Sequence, residues 1–413
     1  MDRKTLRIFS RCAGPALLWI TRFFLPTLVW KEVVPSIAVL KLVGMGDTAL
    51  MLPVIRHLKK TFPHHKLTVI VTPATSPLLA ASPDVDDVIL YDVLESGISG
   101  FISMLFALRW RRFEAFLDFE QNIQLTPFLA AVSGAPVRIG LCHPDHDRGM
   151  LFTHPVPYDE KEKMIQLFHQ VYRNLCGAMG RSAESFHDIL GFRITIPADS
   201  VAKAYEWRRM YISPGEILVG IHLGSGGTNV FRRWPQERFA ALIRLLLAKG
   251  NYHVVLTGGP EEKVLVEELR KSFDNDRVQS ALGNSLKDFT ALLGVFDCYL
   301  SNDTGPLHIG PWVGVPTIGL FGPESPIRYG NLHPDCVSLY KPTSCSPCIQ
   351  VHKGINPECS HVEKGACLKE ISINEVFQHV TSLAEKRAVE RLLETADTSI
   401  SKSNEAAQPL EAR

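Results

Sequence analysis

The strongest constraint on the fold is an alternation of short apolar runs with helical patterns, which occurs once in each half of the chain. In the first half, apolar runs of strand length lie at residues 37–43, 67–71, 88–91 and 113–118. The pattern restarts near Ile217, with further runs at residues 218–223, 252–257, 298–301 and 316–321. Strands that alternate with helices form parallel sheets, so the sequence predicts an α/β protein with two Rossmann-like doubly wound domains that face each other across a cleft.

The alternation also predicts where the domains begin and end. We expect the first α/β domain at residues 35–205 and the second at residues 214–385. An extension of different composition, residues 1–34, precedes them. Residues 390–413 are rich in Ser, Thr and Glu. Such a segment has too little apolar surface to bury, and we expect it to be a disordered tail.

The extension, residues 1–34, contains six basic and two acidic residues, with apolar and aromatic runs between the charges. Its longest uncharged stretch, residues 12–21, is about half of the ~20 residues that a membrane-spanning helix needs. The composition is typical of a basic, aromatic-rich segment that lies in a membrane interface. Two other interpretations stay open: packing against the body of the protein, and a signal or anchor.

Charge and cysteine content exclude two classes of protein. Lys and Arg together number 44 and Asp and Glu 43, so a general basic nucleic-acid binder is not expected. Nine cysteines in 413 residues are too few for a disulfide scaffold.

The loop after the first predicted strand is Gly44-Met45-Gly46-Asp47. It lacks the third glycine of a dinucleotide fingerprint, which makes that interpretation weak. The tight glycine turn instead places Asp47 at the start of a helix, facing the cleft. Asp47 is then either a simple helix N-cap or a functional carboxylate.

The corresponding loops of the second half combine small residues, hydroxyls and positive charge. One is the segment from His222 to Thr228 with Arg232 and Arg233 after it, and the other runs from Ser301 to His308. Backbone N–H groups and arginines at the start of a helix suit a diphosphate. A flexible turn with solvated arginines and an N-cap without a ligand are the plainer alternatives.

These blocks, together with Gly-Val-Pro-Thr-Ile-Gly-Leu-Phe-Gly-Pro at residues 314–323, resemble glycosyltransferase family 9, the ADP-heptose:lipopolysaccharide heptosyltransferases. The resemblance runs from about residue 36 to 377 and implies a GT-B fold, with the acceptor in the N-terminal domain and the sugar nucleotide in the C-terminal one. It implies inverting, metal-independent transfer of a heptose, or a related sugar, from a nucleotide-diphosphate donor to a lipid-linked glycan acceptor. Such an enzyme is expected in the cytoplasm, peripheral on the inner face of the membrane, with no catalytic cofactor.

The resemblance also implies roles for individual residues. Asp47 matches the family's catalytic base, with Gly46 beside the acceptor, and Arg232 stands where the family usually has a lysine that neutralises the diphosphate. The remaining donor-binding candidates are Ser225, Gly226, Thr228, Asp303, Thr304, Gly305, His308 and either Glu261 or Glu262. Leu223 and the segment Gly310-Pro311-Trp312 depart from the family pattern, which leaves the donor sugar less certain than the reaction type.

Four cysteines, Cys345, Cys348, Cys359 and Cys367, form a second constellation. Their number suits tetrahedral zinc, although the second pair is spaced more widely than in a usual zinc knuckle. Structural zinc, reduced thiols and disulfides all stay open.

Two other functions fit a two-domain Rossmann-like architecture: a nucleotide-sugar epimerase and a non-catalytic sugar-nucleotide-binding protein. An epimerase would need several acid/base carboxylates in the cleft, where the sequence offers only Asp47 and Asp303.

Overall fold

The computed structural model describes residues 14–80, 82–92, 97–145, 147–226 and 230–406. The described chain contains two six-stranded sheets, and every pair of neighbouring strands is parallel. The first sheet consists of β1 (Val34–Leu40), β2 (Lys66–Val71), β3 (Asp87–Leu90), β4 (Phe113–Asp118), β5 (Val137–Cys142) and β6 (His154–Pro157). The second consists of β7 (Ile217–His222), β8 (Tyr252–Thr257), β9 (Val278–Ala281), β10 (Cys298–Asn302), β11 (Thr317–Phe321) and β12 (Cys336–Tyr340).

Both sheets have the same strand order. The first is β3-β2-β1-β4-β5-β6, and the second, read from its β9 edge, is β9-β8-β7-β10-β11-β12. This is the order of a dinucleotide-binding Rossmann sheet, and it confirms the predicted fold class. The chain changes direction across the sheet between β1 and β4, and again between β7 and β10. Ligands of such sheets bind at these switch points, beyond the carboxyl ends of the strands.

Helices connect the strands in both halves. The first half contains α1 (Gly14–Leu28), α2 (Met45–Thr61), α3 (Ser76–Ala80), α4 (Gly97–Trp110), α5 (Leu125–Ser133) and α6 (Met164–Ala178). The connection between the halves contains α7 (Ala198–Tyr211). The second half contains α8 (Gln236–Ala248), α9 (Lys263–Lys271), α10 (Leu286–Leu293), α11 (Gly305–Val313), α12 (Pro326–Tyr329), α13 (Ala366–Lys369) and α14 (Ile373–Ala406).

Helix α7 crosses the boundary that the sequence predicts at residue 205, and it packs on the second half. Its Ser200 hydroxyl donates to Asp288 of α10 at 2.7 Å. Arg208 donates to the buried carboxylate of Asp297 at 2.8 Å. The two halves also share apolar packing, because α2 lies against α11 and a single cluster of buried side chains includes residues of both sheets.

Residues 14–34 pack against the first domain. Leu18 is fully buried with Ala131 and Leu151. The Trp30 indole donates to the carbonyls of Arg109 and Ser133, at 3.2 and 3.1 Å. One face of the extension therefore belongs to the folded body, whereas Trp19, Ile20, Phe23 and Phe24 on α1 stay exposed. No helix in the described part of the chain combines the length and apolar composition needed to cross a bilayer.

The C-terminal segment differs from the sequence prediction. Helix α14 continues to Ala406, whereas we expect disorder from residue 390. Arg391 reaches the second domain, where its guanidinium contacts the Asp297 carboxylate at 3.0 Å, and Arg387 pairs with Glu390 and Glu394. These contacts support the helix as far as Glu394. Residues 407–413 lie outside the described residues.

Candidate functional site

Asp47 lies at the switch point of the first sheet. Gly44, which has a φ of 95°, turns the chain out of the loop after β1 and into the first turn of α2. A side chain on Gly44 would be strained at this φ and would approach the Asp47 carboxylate to 3.0 Å. Glycine at this position therefore allows the buried carboxylate to fold back over the turn.

A buried ammonium joins Asp47 to a second carboxylate. The Lys41 Nζ lies 3.2 Å from Asp47 Oδ2 and 3.0 Å from Glu120 Oε2. Burial opposes the charge on Lys41, but the two carboxylates outweigh burial and raise the pKa of the ammonium. Burial raises the pKa of Asp47, and Lys41 offsets only part of that rise. Lys41 therefore favours the ionised form of Asp47 in a place where burial opposes it.

Residues after β4 hold this arrangement. The Glu120 carboxylate accepts hydrogen bonds from the backbone N–H groups of Leu42 and Val43, at 2.6 and 2.8 Å. The Gln121 amide donates to Asp47 Oδ2 at 3.2 Å. The sequence analysis misses Lys41, Glu120 and Gln121. Their positions directly after β1 and β4, which flank the switch point, are the signal that could identify them.

Two glycines allow the domains to approach closely beside Asp47. A Cβ atom on Gly46 would lie 2.6 Å from the His308 ring. A Cβ atom on Gly305, at the N-terminus of α11, would lie 3.0 Å from the Met45 side chain. The structure therefore places Gly46 against the second domain. Asp47 and the start of α11 lie on opposite sides of the same contact.

Arg232 and His308 surround Asp303 on the second domain. Arg232 donates to the Asp303 carboxylate at 2.7 Å and to its backbone carbonyl at 2.8 Å. The His308 Nε2 lies 3.6 Å from the other carboxylate oxygen. Burial opposes the charge on Asp303, but Arg232 and His308 outweigh burial and lower its pKa. Thr304 is the N-cap of α11, so the first N–H groups of this helix lie beside the cluster.

The Glu262 side chain is hydrogen-bonded to the backbone of the loop after β7. Its carboxylate accepts from the backbone N–H of Gly226 at 3.0 Å and from that of Gly259 at 2.7 Å. Glu261, by contrast, is exposed. Ser225 is buried and accepts from Arg233 at 3.2 Å. Thr228 lies outside the described residues.

Asn302, the last residue of β10, ties the same loop to the second sheet. Its amide donates to the carbonyls of Leu223 and Gly224, both at 3.0 Å, and accepts from the Trp234 N–H at 2.8 Å. The sequence motif contains Asn302, but only the structure shows that its fully buried side chain positions the loop that precedes Arg232.

Glu324 lies in the loop after β11, a turn-rich loop that the sequence predicts to line the cleft, and it is a further buried carboxylate to which the sequence analysis gives no role. One of its oxygens accepts from Arg328 and from the Ser325 N–H, both at 2.9 Å. Burial raises the pKa of Glu324 to about 7, although Arg328 opposes the rise. The Asp303 carboxylate adds to the rise in the pKa of Glu324.

Among the residues that the structure describes, four buried polar atoms of this region have no hydrogen-bond partner: Asp47 Oδ1, Arg232 Nε, His308 Nδ1 and Glu324 Oε2. Buried polar atoms are normally paired, and those that are not need an explanation. Their location around Asp303 and the Gly46–His308 contact indicates a site for a ligand rich in hydrogen-bonding groups.

Trp312 lies in the segment that departs from the family pattern. Its ring packs edge-on against Phe192, which lies in the connection between the two halves of the chain.

His143, Glu160 and His352 bring three ligand-type atoms within 4.8 Å of one another. However, Arg328 donates to His352 Nδ1 at 3.0 Å. Arginine cannot accept, so the neutral ring carries its proton on Nε2 and donates it to Glu160 at 3.0 Å. Burial lowers the pKa of His352 to about 4, which keeps the ring neutral. This arrangement joins the two domains by hydrogen bonds and does not suit a metal ion.

The four clustered cysteines line one pocket, together with Phe231 and His361. All four are free thiols. Zinc bonds of ~2.3 Å would place tetrahedral sulfurs about 3.8 Å apart. Among the described residues, no three cysteine sulfurs lie within 4.8 Å of one another. The number of thiols fits zinc, but their spacing does not form a closed tetrahedral site.

Two Rossmann-type sheets with a polar cleft between their switch points form a GT-B fold, as the resemblance predicts. The sequence profile of glycosyltransferase family 9 (heptosyltransferase) matches residues 103–357, and the chain belongs to this family. Lipopolysaccharide heptosyltransferase 3 of Escherichia coli is 26% identical over 67% of this chain and 80% of its own length. The lipopolysaccharide core heptosyltransferase OpsX of Haemophilus influenzae is 25% identical over 79% of this chain and 94% of its own.

Solved structures support the same fold. A family 9 glycosyltransferase from Veillonella parvula superposes with a TM-score of 0.70 at 22% identity, over 87% of this chain and 99% of its own. The E. coli heptosyltransferase WaaC with ADP superposes with a TM-score of 0.63 at 18% identity, over 84% of this chain and all of its own. The match to glycosyltransferase family 9 makes the protein a glycosyltransferase, which argues against the epimerase interpretation.

Proposed function

We propose that the protein transfers a heptose from ADP-heptose to a lipid-linked lipopolysaccharide core acceptor, with inversion at the anomeric carbon. The observation that carries the proposal is that Asp47, a buried carboxylate, follows Gly46, which contacts His308 of the Arg232–Asp303–His308 cluster across the cleft. The names of the relatives support heptose and lipopolysaccharide. One related structure was solved with ADP-2-deoxy-2-fluoro heptose, which supports the donor class.

In this proposal Asp47 is the general base. Its unpartnered Oδ1 accepts the proton of the acceptor hydroxyl while that oxygen attacks the anomeric carbon. The bond between the anomeric carbon and the diphosphate oxygen breaks, and ADP leaves from the opposite face of the sugar. A single base on one domain and a leaving group held by the other domain suit a direct displacement with inversion.

The diphosphate is held by positive charge and backbone N–H groups. Arg232 and the N-terminus of α11, at Thr304 and Gly305, would neutralise the charge that develops on ADP. Ser225, Gly226 and Thr228 would supply further donors in the loop after β7. We assign the ribose contact to buried Glu262 in preference to exposed Glu261. Gly46 would stay beside the acceptor hydroxyl.

A donor panel tests the proposal. Purified full-length protein is given ADP-heptose or a UDP-, GDP- or dTDP-sugar, with and without a lipid-linked core acceptor, and release of the nucleoside diphosphate is measured. We expect release from ADP-heptose only when the acceptor is present. Release from another donor class, or release that does not depend on the acceptor, would overturn the proposed substrate pair.

We also propose that transfer needs no divalent cation, because fixed cationic groups already surround the diphosphate site. EDTA should leave the initial rate unchanged. A rate lost in EDTA and restored by Mg²⁺ or Mn²⁺ would contradict this. Structural zinc at the four cysteines stays a separate prediction, which metal analysis of the purified protein tests.

We further propose that the protein binds peripherally to anionic membranes through its N-terminal extension. The support is the exposed side of α1, where Phe23 is 83% exposed and Trp19 62% exposed. Because α1 also packs on the first domain, substitution of exposed side chains is a cleaner test than deletion of residues 1–34. Phe23→Ser with Phe24→Ser should reduce co-sedimentation with anionic vesicles and leave donor binding unchanged.

A further inference from the structure

Helix α4 (Gly97–Trp110) exposes an apolar ridge that the sequence analysis does not identify. The ridge consists of Ile98, Ile102, Phe106 and Trp110, which are 81%, 47%, 60% and 71% exposed. Residues four apart lie on one side of a helix, so these side chains form a continuous stripe along α4. Single exposed apolar residues are ordinary on a soluble protein, but a contiguous stripe of large ones marks an interaction surface.

The opposite side of α4 is firmly attached to the first domain. Met104 and Leu108 are buried in the core between α4 and the first sheet. The Phe101 ring stacks on Phe128 of α5, with the ring centroids 6.2 Å apart. The ridge is therefore presented by a helix whose other face is already packed.

Helix α4 ends close to the C-terminal end of α1. Both α1 and α4 pack against α5. At the end of α4, the Arg109 guanidinium lies 3.8 Å from the centroid of the Trp30 ring, and Arg109 also contacts the Leu28 carbonyl. The two helices consequently flank one corner of the N-terminal domain.

The segments at this corner carry mainly positive charge, with the exposed Glu32 next to Lys31 as an acidic exception. Residues 14–31 and 97–112 together contain five basic residues and no acidic one: Arg22, Lys31, Arg109, Arg111 and Arg112. Arg111 also pairs with Asp87 at 3.2 Å. A second copy of the chain would bring like charges together here, whereas an anionic lipid surface would attract them.

We propose that the α4 ridge is a second membrane-docking element, which inserts into the interface of an anionic bilayer beside α1. A helix with one apolar stripe and basic flanks lies in the plane of the interface and buries the stripe among headgroups and upper acyl chains. Two such helices fix the orientation of the N-terminal domain, the proposed acceptor domain, relative to the lipid. This inference rests on the peripheral membrane association proposed above, and the following experiment separates the two.

Full-length protein is mixed with phosphatidylcholine vesicles and with vesicles that also contain phosphatidylglycerol, and the bound fraction is measured at low and high salt. Three double variants are compared with wild type: Ile102→Ser with Phe106→Ser on α4, Phe23→Ser with Phe24→Ser on α1, and Val264→Ser with Val362→Ser as a control. The control residues are 67% and 101% exposed and lie in the second half of the chain, away from both helices.

We expect the α4 variant to reduce the partition coefficient onto anionic vesicles by about tenfold. The control should bind like wild type, and all variants should keep the melting temperature and donor affinity of wild type. If the α1 variant loses binding and the α4 variant does not, membrane association stands and the α4 ridge is not part of it. If the wild-type protein does not bind anionic vesicles, the proposed membrane association and the proposed role of the α4 ridge are both wrong. A lower oligomeric mass of the α4 variant by light scattering would show that the ridge binds a second copy, which would also overturn the inference.

Discussion

At the residue scale, the surroundings of Asp47 shift the pKa of its carboxyl in opposite directions. Burial raises the pKa of this carboxyl, and the neighbouring Glu120 carboxylate raises it further. Lys41 is the buried cation that opposes both. A base must be ionised to accept a proton, so the activity of the proposed base depends on Lys41 without any contact between Lys41 and the substrates.

Lys41→Met should move the acidic limb of the pH profile of kcat/KM to higher pH. Loss of the ammonium raises the pKa of Asp47, so the base becomes protonated at a pH where wild type still has it ionised. A shift of one pH unit lowers the rate about tenfold on the acidic side and leaves the rate at high pH much less affected. Lys59→Met, which removes a partly buried lysine paired with Asp86, is the control. A Lys41→Met rate that is lower by the same factor at every pH would contradict this role.

Arg232→Ala should weaken donor binding and slow transfer together. The diphosphate gains charge as the sugar leaves, and removal of one well-placed cationic donor typically costs ~10²–10³ in kcat. Arg232→Lys keeps the charge without the planar fork and should lose less. Arg238→Ala removes an arginine that bonds to the Ile371 carbonyl and provides the control. If only the KM for the acceptor changed, Arg232 would belong to a different part of the site.

At the scale of elements, Asp297 joins three parts of the second domain. Its fully buried carboxylate accepts from Arg208 of α7, from the Leu218 N–H of β7 and from Arg391 of α14. Asp297→Ala leaves two nearly buried guanidinium groups without this partner, and we expect a loss of about 3–5 kcal/mol in the free energy of unfolding. Arg391→Ala removes one donor and should cost only ~1 kcal/mol. Urea denaturation measures both, and equal losses would show that α14 and α7 do not meet at Asp297 in the way described.

The strands that the sequence predicts and those that it misses differ in their place in the sheet. The pattern identifies every interior strand except β5, together with the edge strand β3, and it predicts β4 and β8 with their observed bounds. Three of the missed strands, β6, β9 and β12, lie at sheet edges. An edge strand needs fewer apolar residues and tolerates proline, and β6 has the sequence His-Pro-Val-Pro. Such strands carry little of the periodicity from which strands are predicted.

The candidate site was predictable only in part for a related reason. Asp47, Arg232, Asp303 and His308 occupy motifs with recognisable spacing. Lys41 and Glu120 do not, because their importance comes from contacts between strands that are far apart in the chain. Lys41 and Glu120 are separated by 79 positions and meet only because β1 and β4 are neighbours. Glu324 is bonded locally, to Ser325 and Arg328, and its importance comes from burial that the sequence does not show.

At the scale of the whole molecule, both domains contribute to one cleft and contact each other around it. Besides the Gly46–His308 contact, Lys163 of α6 donates to the Gly330 carbonyl at 3.0 Å. Glu160 of the first domain accepts from His352 and lies 2.9 Å from the Lys353 ammonium. These contacts keep the proposed base and the proposed donor site close together, although they belong to different sheets.

The central claim is that Asp47 supplies the base while the other domain holds the donor. Acceptor-dependent release of ADP from ADP-heptose by Asp47→Asn tests it most directly, with Asp84→Asn, a carboxylate paired with Arg56, as the control. We predict that Asp47→Asn keeps the melting temperature and the donor affinity of wild type within a few-fold, while kcat falls by ~10²–10⁴, the usual contribution of a general base. A kcat within a few-fold of wild type would contradict the account.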